Sequence, residues 1–169
     1  MDLSQFNLPQ SVRERVELTP MEDVALAVFR DAMPDVKFRT MIPYEQQSLF
    51  ETGEFVLIRR APELGYWLGH ESLLDEGVLL VNVFTQGHDA DTRGALISEA
   101  IRVTLRDSWR NQHYYPGVGC INFVRVLAAP TRKTDWQAST GPVQFADLPT
   151  GTYRYESQYR LRVRPPLWG

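Results

Sequence analysis

The stretch Tyr153-Arg-Tyr-Glu-Ser-Gln-Tyr-Arg-Leu-Arg-Val-Arg164 alternates between two kinds of side chain over its whole length. Tyrosine, serine, leucine and valine occupy the odd-numbered positions, whereas arginine, glutamate and glutamine occupy the even-numbered ones. Successive side chains of a β-strand point to opposite faces, so the pattern predicts one long strand with one packed face and one wet face. The sheet that contains this strand should therefore carry arginines on its outer face.

A helix signal stands near the start of the chain. Thr19 is a suitable N-cap, and Pro20 suits the first position of a helix. The helix should end near Met33, because Pro34 restricts the residue before it. An extended run at 36–42 follows this predicted helix.

Three further strands and one long helix are predicted in the middle of the chain. The strands cover 54–60, 78–85 and 121–127, where apolar residues run together. The helix follows Gly87 and can be capped by Asp89 or Asp91. Its predicted apolar stripe, at three- and four-residue steps, is Leu96, Ile97, Ala100, Ile101, Thr104, Leu105 and Ser108.

This order of elements predicts an α+β fold with a mixed or antiparallel sheet and both helices packed on one face. At 169 residues the chain is most simply a single domain, 1–169. Residues 1–19 are predicted to form an N-terminal arm, and 61–77 and 129–150 are predicted to be long interaction loops.

Composition limits the classes of function. A net charge of -3 argues against a protein that coats nucleic acid through bulk positive charge. The single cysteine, Cys120, cannot form an internal disulfide, so we expect a buried thiol and a reducing cytosolic folding environment. We expect neither a signal peptide nor a membrane helix, because no apolar run approaches the ~18 residues that a span requires.

Few residues point to catalysis. His88, Asp89 and Asp91 could hold a hard cation, but acids at a helix start are favoured by capping and by the helix dipole alone. His70 and His113 lie in separate predicted loops without a neighbouring relay. We therefore predict no catalytic site, no metal and no cofactor.

Interaction surfaces are the stronger prediction. Loop aromatics and arginines are typical of protein interfaces. The arginines of the last strand could meet phosphates, but its tyrosines lie on the opposite face, which favours partner carboxylates or a self-complementary oligomer. The candidate interface residues are Tyr66, Trp67, Trp136, Phe145, Trp168, Arg154, Arg160, Arg162 and Arg164.

The segment from Val78 to Val163, about half the chain, has a recognisable order of elements. The strand Val78-Leu-Leu-Val-Asn-Val-Phe-Thr-Gln-Gly87 leads at once into the helix with Ala95-Leu-Ile-x-x-Ala100-Ile-Arg-x-x-Leu105, and a glycine-containing turn and two strands follow. In this order the chain resembles the tail terminator proteins of long-tailed bacteriophages. The predicted N-terminal helix also fits.

The resemblance implies a structural virion protein without catalytic residues. Such proteins form a hexameric ring on the head-proximal end of the tail tube, stop its polymerisation and join tail to head. The implied partners are its own copies, the tail tube protein and head–tail connector proteins, and DNA that passes through the lumen would not be bound specifically. The implied location is the virion tail, after assembly in the host cytoplasm. The alternatives are a head–tail neck adaptor, a metal-dependent enzyme at His88, Asp89 and Asp91, and a nucleic-acid-binding module.

Overall fold

The computed structural model describes residues 9, 21–41, 53–61, 74–133 and 151–164. This part of the chain contains two helices and six strands. In chain order they are α1 (Met21–Ala32), β1 (Phe38–Arg39), β2 (Glu54–Arg60), β3 (Asp75–Thr85), α2 (Ala90–Arg110), β4 (Tyr114–Tyr115), β5 (Gly119–Lys133) and β6 (Tyr153–Arg164).

The strands form one mixed sheet in the order β1-β2-β3-β6-β5-β4. β1 is parallel to β2, and the other neighbouring pairs are antiparallel. The strand with the alternating sequence, β6, therefore lies inside the sheet between β3 and β5. The predicted α+β fold with a mixed sheet is confirmed.

Both helices pack on one face of the sheet, as predicted. Their apolar side chains meet those of the central strands in one core. Members of this core are Val24, Val28, Phe29, Val56, Ile58, Leu79, Val81, Ile101, Leu105, Tyr159 and Leu161.

The opposite, helix-free face of the sheet is also buried at β2 and β3. Phe55 and Phe84 stack there with ring centroids 4.6 Å apart, and Leu57 and Val78 are buried on the same face. Strands covered on both faces read as continuous apolar runs rather than as alternating ones. This explains why Phe55–Ile58 shows no alternation in sequence.

Several predicted boundaries need correction. β2 and β6 have the predicted bounds, but β3 begins at Asp75 rather than Val78, which shortens the predicted loop 61–77. β5 continues to Lys133, so the predicted loop 129–150 is wrong over 129–133. The remainders of these loops, 62–73 and 134–150, lie outside the described residues, as does the predicted arm 1–19 except for Pro9.

The buried stripe of α2 is rotated from the predicted one. Ile101, Leu105 and Ser108 are buried as expected, but Leu96 is 64% exposed. The small residues Gly94 and Ser98 face the sheet instead. A Cβ atom added at Gly94 would lie 2.7 Å from Cδ2 of Tyr155, so only glycine permits this close helix–sheet approach.

Asp75 and Glu22 connect the start of α1 to the sheet. The Met21 backbone N–H donates to Asp75 Oδ2 at 3.3 Å, and Arg60 Nη1 donates to the same oxygen at 2.9 Å. The Arg60 backbone N–H donates to Glu22 Oε1 at 3.0 Å. A strand residue thus satisfies the helix start, whereas the predicted cap, Thr19, lies outside the described residues.

Candidate functional site

Of the predicted interface residues, the four arginines of β6 lie within the described chain. Their even-numbered positions place them on the helix-free face, because Tyr155 and Tyr159 pack toward the helices. The five predicted aromatic contacts, Tyr66, Trp67, Trp136, Phe145 and Trp168, lie outside the described residues.

Arg154 does not face water. Its side chain is among the largest fully buried ones, with 1% of the residue exposed. The expectation of an arginine face open to solvent is therefore wrong at this position, because β6 is an interior strand and its helix-free face is covered here. Glu156, the next residue on that face, is also buried and lies 3.7 Å from Lys133 Nζ.

Farther along β6, Arg160 and Arg162 share a single carboxylate. Arg160 Nε donates to Glu76 Oε1 at 2.6 Å, and Arg162 Nε donates to Glu76 Oε2 at 2.9 Å. Glu76 is 8% exposed, and burial alone would raise its pKa, but the hydrogen bonds from Arg162 and Arg160 hold that pKa below its ordinary value. The carboxylate therefore stays ionised and joins the start of β3 to the end of β6.

A further arginine, which the sequence did not mark as a site residue, lies beside this pair. Arg125 of β5 stands directly opposite Arg160 of β6 in the sheet register. Arg162 stands opposite Phe123, and its Cζ lies 5.9 Å from the centre of that ring. Arg125 and Arg164 are exposed, and Arg160 and Arg162 are partly exposed. We call Arg125, Arg160, Arg162 and Arg164 the arginine cluster.

The apolar part of β5 beside this cluster is exposed. All residues of 125–129 are exposed, and the large side chains Val126 and Leu127 are 41% and 44% exposed. On its outer side, β5 pairs with β4 only at Gly119 and Cys120 among the residues that the structure describes. We call 125–129 the exposed β5 segment.

The β5–β6 ladder is irregular along the exposed β5 segment. Its register shifts between Val126 and Ala128, and again between Ala128 and Thr131. Such bulges redirect side chains and often occur near functional sites. Protected edge strands usually carry charges at their outer positions, whereas this one presents Val126, Leu127 and two alanines. Bulges leave no clear periodic signal, so sequence reasoning could not have found this surface.

On the other side of the sheet, β2 is covered by β1 and by the start of α1. The Val56 backbone N–H donates to the Lys37 carbonyl at 2.8 Å, and the Arg60 N–H is taken by Glu22. Backbone and side-chain acceptors thus cover the outer side of β2, whereas no described residue pairs with the outer side of β5 beyond Cys120. The exposed β5 segment and the arginine cluster together form the candidate functional site.

The predicted alternative at the start of α2 does not gather a metal site. His88 Nδ1 and Asp89 Oδ1 are 3.0 Å apart on the surface, but Asp91 accepts the Tyr155 hydroxyl at 2.8 Å and lies 3.3 Å from Arg132 Nη1. Among the described residues, no three potential ligands come together as a metal site requires. Asp91 thus anchors α2 to β5 and β6.

Cys120 is a free, buried thiol at the start of β5, as predicted. Neither helix of the described chain has the length and apolar content needed to cross a membrane. Comparison of the chain with protein-family models and with curated proteins finds no match.

Proposed function

We propose that this protein is a tail terminator of a long-tailed bacteriophage, which forms a hexameric ring on the head-proximal end of the tail tube. The starting point is the resemblance of residues 78–163 to that family. The structure has β3, α2, β5 and β6 in this order along the chain, with α1 beside α2, and the resemblance rests on this order of elements. In this proposal the protein stops tube polymerisation and joins the tail to the head.

The exposed β5 segment is the observation that carries the proposal. Four successive apolar residues, 126–129, are exposed on a sheet edge that no other described strand covers, next to several arginines. Exposed apolar patches with arginine nearby are typical of surfaces that bind other proteins. An assembly role accounts for this surface, whereas neither catalysis nor bulk nucleic-acid binding calls for it.

Electron microscopy of the protein mixed with purified tail tubes tests the proposal. Tubes assembled without a terminator should acquire a ring at one end, and their length should stop increasing when more tube protein is added. Uncapped tubes that keep growing in excess protein would contradict it. A monomeric state in solution would not contradict the proposal, since terminators can be monomeric before they dock on a tube.

The same material separates the neck-adaptor alternative. A terminator should cap tails that have never met a head. An adaptor between portal and tail should instead leave such tails bare and bind isolated portal assemblies. Gradient sedimentation of the protein with each partner gives the answer.

A further inference from the structure

The arginine cluster has more positive charge than the described chain neutralises. It holds four guanidinium groups, and Glu76 is the carboxylate that pairs with two of them. Arg125 and Arg164 have no ion pair within the described residues. Arg125 lies directly opposite Arg160, and like charges so placed on neighbouring strands destabilise a sheet. Glu76 offsets the charge of Arg160, but no described carboxylate offsets that of Arg125. The cluster therefore has room for added carboxylates or phosphates.

The exposed β5 segment specifies the shape of what binds beside this charge. Among the residues that the structure describes, its outer backbone groups lie at an edge, and an edge strand is a template for a further extended strand. Val126 and Leu127 add apolar contact area. Pro130 lacks an N–H, so a strand added here would have to end its pairing near Ala129.

From these features we infer that the exposed β5 segment and the arginine cluster bind a short extended segment of a partner protein that alternates apolar and acidic residues. Its backbone would add to the edge of β5, its apolar side chains would contact Val126 and Leu127, and its nearest carboxylate would pair with Arg125. The inference deepens the proposed function and rests on it for the partner's identity as a tail or neck protein.

Nucleic acid fits the surface less well. Binding of single strands combines cations with stacking aromatic rings on one surface. Phe123, whose ring lies 5.9 Å from Arg162 Cζ, already packs edge-on against Trp109 with ring centroids 5.7 Å apart. Tyr155 and Tyr159 lie on the helix side of β6. The exposed aliphatic residues have no counterpart in a phosphate backbone.

Fluorescence anisotropy of a labelled peptide tests the inference on the intact protein. The probe is a short peptide that alternates glutamate and valine. The comparisons are a lysine–valine peptide of the same length and a single-stranded oligothymidylate with the same net charge as the acidic peptide. We expect the acidic peptide to bind, and Arg125→Glu to weaken it about tenfold or more, since the change reverses a charge beside the ligand. Arg106→Glu, the same change on the exposed face of α2, should leave binding within about twofold.

A second variant separates the backbone and apolar part of the surface from the charged part. Leu127→Asp should also weaken binding of the acidic peptide. Leu96→Asp, at an exposed apolar position of α2, should leave that binding unchanged. Circular dichroism confirms that each variant is folded. The inference is supported if Arg125→Glu and Leu127→Asp weaken peptide binding while Arg106→Glu and Leu96→Asp do not.

Other results would overturn it. Tighter binding of the oligothymidylate, lost in Arg125→Glu, would assign the cluster to nucleic acid. Self-association in sedimentation equilibrium that Leu127→Asp abolishes would assign the edge to a second copy. Absence of peptide binding at low ionic strength would reject the surface outright. If the protein binds the peptide but does not cap tubes, the proposed function is rejected and this inference stands. If it caps tubes but does not bind the peptide, this inference is rejected and the proposed function stands.

Discussion

Replacing Gly94 with alanine tests the close packing of α2 on the sheet. In an ordinary helix interior this change stabilises a protein by about 0.5–1 kcal/mol, because glycine loses more backbone freedom on folding. Here the new methyl group would lie 2.7 Å and 2.8 Å from two ring carbons of Tyr155 and 3.1 Å from Thr85 Oγ1. Steric conflict should therefore reverse the usual sign.

The ring of Tyr155 cannot move aside without loss. Its hydroxyl donates to Asp91 Oδ1 at 2.8 Å, and Asp91 is also in contact with Arg132. Overpacking of a well-packed site costs about 1–3 kcal/mol, which exceeds the gain in helix propensity. We expect Gly94→Ala to lower the free energy of unfolding by about 1–2 kcal/mol, and Tm by about 2–8 °C for a chain of this size.

Urea denaturation followed by circular dichroism measures the change. Thr92→Ala, at an exposed position of the same helix, is the control and should alter stability by less than about 0.5 kcal/mol. In a Tyr155→Ala background the cost of Gly94→Ala should shrink by about 1 kcal/mol or more, since the two sites then no longer conflict. A Gly94→Ala protein as stable as the parent would refute the packing argument.

Three further outcomes are expected. Glu76→Gln should lower the free energy of unfolding by about 1–2 kcal/mol at neutral pH, because two arginines lose the carboxylate that they share. Since folding lowers the pKa of Glu76, the loss should be complete above the ordinary pKa of 4.5 and should disappear as the pH falls through the pKa of the folded state. Urea titrations at several pH values measure it. Asp75→Asn should speed amide hydrogen exchange in the first turn of α1, where Asp75 accepts the Met21 N–H. The pKa of Tyr115, raised to about 12 by burial and then by Asp31, should fall only part of the way toward 10.0 in Asp31→Asn, as followed by ultraviolet titration.

Each of these outcomes has a result that contradicts it. Glu99→Gln removes an exposed partner of Arg102 and serves as the control for Glu76→Gln, so equal losses in both would deny the role of burial. Unchanged exchange at the start of α1 would mean that Asp75 does not secure it. A Tyr115 pKa that returns fully to its ordinary value in Asp31→Asn would make the carboxylate, rather than burial, the main cause.

The sequence predicted those elements in which one physical pattern dominates. The bounds of β6 and β2 follow from strict alternation and from a continuous apolar run. The predicted stripe of α2 was wrong at Leu96, because residue type alone favours leucine there, whereas the close approach of the helix selects the small residues Gly94 and Ser98. Propensity cannot reveal how near a helix lies to its sheet.

The candidate site depends on sheet order and register, which no local pattern encodes. Glu76 falls in a predicted loop, so its pairing with two arginines of β6 was invisible in the sequence. Arg125 meets Arg160 only because bulges set the β5–β6 register. The burial of Arg154 follows from the interior position of β6. The assignment to tail terminators stays a prediction.

The interior position of β6 has a consequence for folding. β6 follows all other described elements along the chain, yet it lies between β3 and β5 and joins them. Before β6 pairs, the other described strands form two separate groups, β1-β2-β3 and β5-β4, and the backbone groups of β3 and β5 that face β6 have no partner there. Pairing strands that are far apart in sequence costs loop-closure entropy, so we expect the sheet to fold slowly and cooperatively, with the pairing of β6 as the last step.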